Sequence, residues 1–222
     1  MHPLLPSLAA AVLYFGAACY QGLHLARRSQ PSQPVLLLVG VIALLFHGGS
    51  LYMQMHDVAG LNLDFFNSSS LIAFTVIALI LLACQRMPVH NLLLFLFPLG
   101  GLTVLCAQFM PSGTSQPIEE GPGILAHILL SIVAYGLLTI AMFQSLLLLV
   151  QDRQLKNKHP SGLIRNFPPL QTMESLLFGF LWSGWALLSL SLLSGAVFID
   201  NLFTQHLVHK TILSCFAWVV FA

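Results

Sequence analysis

Ile124 to Val150 reads ILAHILLSIVAYGLLTIAMFQSLLLLV, 27 residues without one Asp, Glu, Lys or Arg. A helix needs about 20 mostly apolar residues to cross the hydrocarbon core of a bilayer, and this run exceeds that. The same pattern recurs along the chain. Further spans are predicted at Leu4–Leu25, Pro34–Met53, Phe66–Cys84, Asn91–Phe109 and Ser175–Ile199. A seventh run opens near Leu207 and continues to Ala222. Its sixteen residues would rise about 24 Å, short of the roughly 30 Å core. It reads as a span cut short, with a further terminus and an eighth helix expected beyond it. The fold class expected is all-α, a polytopic transmembrane helix bundle forming one integral membrane domain over residues 1–222.

Composition agrees. Of 222 residues, eight are Lys or Arg and seven are Asp or Glu, 7% in all, against 57% hydrophobic. Mean hydropathy is +0.87. Soluble domains carry about 25% charged residues. These figures exclude a soluble enzyme, a nucleic-acid binder and a disordered chain, and they make the lipid bilayer the first partner. Cys19, Cys84, Cys106 and Cys215 are scattered singly, with no CxxC, and read as small buried hydrophobes. Met1-His2-Pro3 brings no basic residue before the first apolar run, so that run is expected to be retained rather than cleaved as a signal peptide.

The few charges set the orientation. Arg27, Arg28, Arg86, Arg153, Lys156, Lys158 and Arg165 fall in alternate loops on one side. Asp57, Asp64, Glu119, Glu120, Asp200 and Lys210 fall on the other. Basic loops stay in the cytoplasm, so the N-terminus is expected outside. Pro98-Leu99-Gly100-Gly101 is expected to kink the fourth helix. Phe167-Pro168-Pro169-Leu170 should end any helix before the sixth span, with Glu174 capping that span's start.

Nine histidines stand out against fifteen charges. On this topology His2, His47, His56, His127, His206 and His209 lie at or near the outer face. An ionisable residue within a span usually faces the bundle interior. A neutral imidazole serves there either as a hydrogen-bonding link between helices or as an axial ligand to haem iron. His47, His127 and His209 are on three different helices. In the fifth helix His127, Ser131 and Tyr135 recur at i, i+4 and i+8, a polar stripe that is either helix–helix glue or one wall of a cavity. Ser183-Gly184, Ser189, Ser191 and Ser194-Gly195 in the sixth helix are the small residues of close helix packing, or else ligand contacts. No GxGxxG, Walker, GxSxG or HExxH pattern occurs, so no enzyme is expected. No carboxylate pair lies within a span, which argues against a proton-coupled permease.

From Gly121 onward the chain resembles a known family. His127-Ile-Leu-Leu-Ser131-Ile-Val-Ala134-Tyr135, Pro169-Leu170-Gln-Thr-Met173-Glu174, Leu176-Leu177-Phe178, Ser194-Gly195, and His209-Lys210-Thr211 with Ser214 and Trp218 resemble the conserved region of the cytochrome c assembly proteins, the CcsA/HemX-like membrane group. The likeness is greatest to the HemX/YpjD-type branch of the bacterial inner membrane, and it covers residues 121–222. The resemblance implies haem handling in cytochrome c maturation, with other membrane proteins of that process as partners and a b-type haem as cofactor. It makes His127 a candidate axial ligand to haem iron, with His209 as second ligand and His47 as a positional candidate within the membrane. The synthetase branch presents haem on a tryptophan-rich outer loop. Here Trp182, Trp185 and Trp218 are the only tryptophans, and the loop from Pro111 to Gly123 is acidic and rich in Gly and Pro. The resemblance therefore implies an accessory role rather than a ligating synthetase; the alternative is a non-haem scaffold or regulator.

Overall fold

The computed structural model describes residues 3–27, 29–57, 60–110, 121–157, 167–198 and 208–222, with backbone alone at 56–57, 60–61 and 208–210. The helices in order are α1 (Leu4–Ala26), α2 (Gln33–Met55), α3 (Phe65–Ala83), α4 (Leu93–Phe109), α5 (Pro122–Lys156), α6 (Leu170–Phe198) and α7 (Val208–Phe221). A 3-10 turn, His90–Leu92, leads into α4. Among the described residues, six helices are long and apolar enough to cross a membrane, and a shorter apolar helix follows. The protein is thus a multi-span membrane protein. Its outer faces carry Leu5, Leu45, Phe65, Trp182 and Val197 in exposed positions, as expected where the surrounding solvent is hydrocarbon.

Helix boundaries differ from expectation in two places. The fifth helix runs 35 residues, about 52 Å, well beyond the hydrocarbon thickness. Its last turns carry an exposed Lys156–Asp152 ion pair at 2.7 Å. The sixth begins at Leu170 rather than Ser175, immediately after Pro168 and Pro169. The Pro169 carbonyl already accepts from the Met173 N–H at 3.1 Å, so the helix is under way before Glu174. Glu174 is therefore no cap; it lies exposed in the second turn. The true side-chain cap is on α3, where Asp64 Oδ1 accepts from the Asn67 N–H at 2.7 Å. Between α2 and α3 sits a two-residue antiparallel pairing, His56–Asp57 with Gly60–Leu61, too short to leave a periodic signature.

Pro98 lies inside α4, which is helical throughout Leu93–Phe109. Gly100, two residues on, serves packing. A Cβ there would collide with the Ile77 side chain and stand 3.4 Å from the Tyr14 ring. Close approach of α1, α3 and α4 depends on its absence. The main core lies among α1–α4, built on Tyr14, Leu36, Ile77, Ile80, Leu96 and Phe97, and extends to Ile140 and Met173. A second, smaller core joins α5, α6 and α7 through Ala134, Leu138, Leu188 and Trp218. Arg27, Arg86, Arg153 and Lys156 mark one end of the bundle, called here the basic end.

Candidate functional site

Helix α5 opens with Gly121 as N-cap and Pro122 as its first residue, a start that needs no N–H from the proline. Five residues on, His127 is half-buried against α6. Its Nδ1 lies 2.8 Å from the Ser191 carbonyl oxygen and 3.2 Å from Ser194 Oγ. A carbonyl oxygen only accepts, so Nδ1 carries the proton. Among the described residues Nε2 has no partner, and in the neutral ring it bears the lone pair. The ring lies against Gly195, where a Cβ would stand 2.9 Å from Cε1 and 3.1 Å from Nδ1. Glycine is what lets the imidazole reach the Ser191 carbonyl.

The rest of the stripe continues inward. Ser131 Oγ is 2.6 Å from Ser191 Oγ and also donates to the His127 carbonyl at 2.8 Å. Tyr135 OH is 2.7 Å from Ser214 Oγ on α7. The α6–α7 seam is closed by Trp185 stacked on Trp218 at 5.5 Å. The Trp185 indole N–H donates to the Trp218 carbonyl at 3.2 Å, and that of Trp218 to Ser189 Oγ at 2.7 Å. Of the readings open for the stripe and for the α6 serines, these contacts match helix–helix linkage along its inner part. Among the described residues, the His127 position adds a ring nitrogen without a partner. A mainly apolar groove of about 540 Å³ between α5, α6 and α7 starts at Tyr135, two turns further along, about 12 Å from His127 along the axis.

His47 is elsewhere. It is fully buried in the α1–α4 group, with Nδ1 3.3 Å from Tyr14 OH and Nε2 3.0 Å from Ser70 Oγ. Tyr14 and Phe74 meet its ring edge-on, with centroids at 5.9 and 5.5 Å. Both nitrogens are engaged. One turn further along α2, Ser50 bonds Ser7 Oγ at 2.6 Å and accepts from Gln54 at 2.7 Å, while Ser7 donates to Gln108 at 2.9 Å. His127 and His47 share no partner and lie in different helix groups.

The backbone of His209 is in the first turn of α7; its side chain, like all of His206, lies outside the described residues. Helices α5 and α7 meet at Tyr135 and Ser214. His127 precedes the first by eight residues and His209 precedes the second by five, which puts both toward the same end.

Sequence reading overlooked the buried glutamines. Gln21 donates to the His90 carbonyl at 2.8 Å, Gln144 to that of Met173 at 3.0 Å and Gln151 to that of Pro168 at 3.0 Å. For Gln21 and Gln144 an uncharged amide inside an apolar run was the available signal, whereas Gln151 lies just past the end of its run.

Fold and site together define a polytopic membrane protein whose polar interior is built on helix-borne histidines, serines and glutamines. The chain belongs to the cytochrome c assembly protein family, whose family model matches residues 35–222. That match starts in α2, ahead of the motifs that begin at Gly121. Among similar proteins, inner membrane protein YpjD of Escherichia coli (strain K12) is 32% identical over 187 residues, covering 83% of this chain and 71% of the relative. Protein HemX of Brevibacillus brevis is 31% identical over 114 residues, covering 48% of this chain and 41% of the relative. An uncharacterized 28.8 kDa protein of Azospirillum brasilense is 33% identical over 131 residues, covering 58% and 48%. No solved structure was found to match the chain.

Proposed function

We propose that this protein is a haem-binding, haem-handling member of the family, accessory to cytochrome c assembly rather than a ligating synthetase or other enzyme. One observation carries the reading: His127 Nδ1 donates to the Ser191 carbonyl, leaving Nε2 as the lone-pair nitrogen. Metal-binding histidines are commonly held in this way, the second nitrogen fixing tautomer and ring orientation. When bound, b-type haem supplies an iron with axial positions for such ligands. The chain supplies His127 as one ligand, the Ser191 carbonyl and Ser194 hydroxyl to orient it, and apolar helix surface around it. His209 on α7 is the proposed second ligand. His47 fits less well, because ligation would cost it Ser70 or Tyr14. The site is assigned to the outer face of the inner membrane, with the N-terminus outside, on the strength of the basic loops.

The test is spectroscopic. Purified protein titrated with haem should develop a Soret band. His127→Gly should lose it, and added imidazole should restore it. Protein that stays colourless with haem, or a variant that binds as the wild type does, would overturn the proposal. A scaffold without haem is the second reading. His47 favours it, since both its nitrogens are spent on helix packing.

A further inference from the structure

At the end of the bundle opposite the basic end, the start of α3 buries an acid. Asp64, its N-cap, is 8% exposed, and Asn67, three residues on, is 2% exposed. The Asp64 Oδ1 accepts from the Asn67 backbone N–H at 2.7 Å, which sets the carboxylate against residue 67. The other carboxylate oxygen, Oδ2, is buried and has no hydrogen-bond partner; the same is true of Asn67 Oδ1. The Asn67 amide nitrogen donates back to the Asn62 carbonyl at 3.4 Å, so the amide folds over the helix start. Asn62 Oδ1 accepts from the Asp64 N–H at 3.2 Å. One short stretch of described chain thus gathers a carboxylate, two amide oxygens and a backbone carbonyl.

Charge and atom type narrow the ligand. Both unmatched atoms are acceptors, and one belongs to a carboxylate. The Lys and Arg side chains among the described residues, Arg27, Arg86, Arg153 and Lys156, sit at the basic end, a span away. The ion pair found among the described residues is Lys156–Asp152. A buried charge without a counter-charge costs several kcal/mol, more than an unmatched neutral acceptor. Water would answer the hydrogen bonds but not the charge; a cation answers both. Among the described residues no three His, Cys, Asp or Glu come together, so the thiolate and imidazole sets that favour transition metals are not formed. Carboxylate, amide and carbonyl oxygens are the donors of a hard cation. Calcium takes such oxygens in flexible geometry, whereas magnesium demands a near-ideal octahedron and keeps its waters.

We propose that the start of α3 binds a calcium ion through Asp64 Oδ2 and Asn67 Oδ1. The site is separate from His127 and does not depend on haem binding. A single carboxylate puts its affinity at the weak end of the calcium range, a dissociation constant of about 0.1–1 mM. The ion secures the first turn of α3, the helix whose Ser70 bonds His47 on α2.

The experiment uses the full chain in a non-ionic detergent, first with chelator and then with added calcium chloride, and follows the melting temperature. Calcium should raise it, with a midpoint near 0.1–1 mM, about the expected dissociation constant. Magnesium chloride at equal concentration should raise it less. Asp64→Ser keeps a capping hydroxyl but removes the charge, and it should abolish the calcium shift. In chelator the same variant should melt no lower than the wild type, because it removes an unanswered buried charge. A residue that only caps the helix would lower the melting temperature with and without calcium. Asn67→Ala leaves the backbone N–H to Asp64 in place and should move the calcium midpoint up by about tenfold; it carries the test alone should Asp64→Ser fail to fold. No shift with calcium, an equal shift with magnesium, or a calcium shift that the variants retain overturns the proposal and leaves these oxygens to water.

Discussion

Two histidines in two helix groups do opposite things with the same ring. His47 is sealed in the α1–α4 group, with Tyr14 on one nitrogen and Ser70 on the other. His127 sits between α5 and α6 with one nitrogen tied to a carbonyl and the other without a partner among the described residues. An imidazole that satisfies two hydroxyls is a strut. An imidazole held by one nitrogen keeps the other for a further partner. The difference lies in the neighbours. The α1–α4 group packs aromatic rings and hydroxyls on both sides of His47, while α6 offers Gly195 and, to one nitrogen of His127, the Ser191 carbonyl and the Ser194 hydroxyl.

The contrast can be broken by mutation. The largest effect is expected at His47. His47→Ala removes a fully buried ring and strands the Tyr14 and Ser70 hydroxyls, at about 3–5 kcal/mol of stability, read as a lower melting temperature or midpoint of denaturation in detergent. His127→Ala should cost far less stability, so equal losses at the two positions would erase the distinction. Next comes Gly195→Ala. Its methyl would press on Cε1 and Nδ1 of His127, tilting the ring off the Ser191 carbonyl. Haem affinity under the proposed reading should fall ~10–100-fold, as for other groups that orient a metal ligand. Haem titration followed at the Soret band measures this, and unchanged affinity would mean that Gly195 only packs. The smallest effect is expected from Tyr135→Phe, which removes the bond to Ser214. Interhelical hydrogen bonds in membranes average about 0.6 kcal/mol. A loss well above that in the same denaturation assay would make Tyr135 more than α5–α7 glue.

The membrane bundle was legible before any coordinates, because a hydrocarbon solvent leaves little choice to runs such as Phe66–Cys84 or Ile124–Val150. All six spans appear as helices close to where the hydropathy placed them. The misplacement of Glu174 came from reading apolarity as helix. Leu170 to Glu174 is helical before it is uniformly apolar, and Pro169 sets the start. The hairpin at His56–Leu61 went unread because two paired residues have no period to detect. The Ser7–Ser50–Gln108 cluster was missed because a lone serine in a span looks like a small packing residue. The stripe His127–Ser131–Tyr135 was visible from spacing alone, as was the small-residue face of α6.

The sequence by itself determined that this is a helical membrane protein, and its motifs pointed to the family that the comparison over residues 35–222 bears out. Both follow from local properties, namely apolar runs, loop charges and short motifs. Only the tertiary structure decided which histidine nitrogens are occupied. The Nδ1 of His127 meets a carbonyl 64 residues away, and His47 meets hydroxyls 33 and 23 residues away. Hydrogen-bond direction depends on which groups the packed helices bring within about 3 Å of each other, and no pattern along one helix contains its partner.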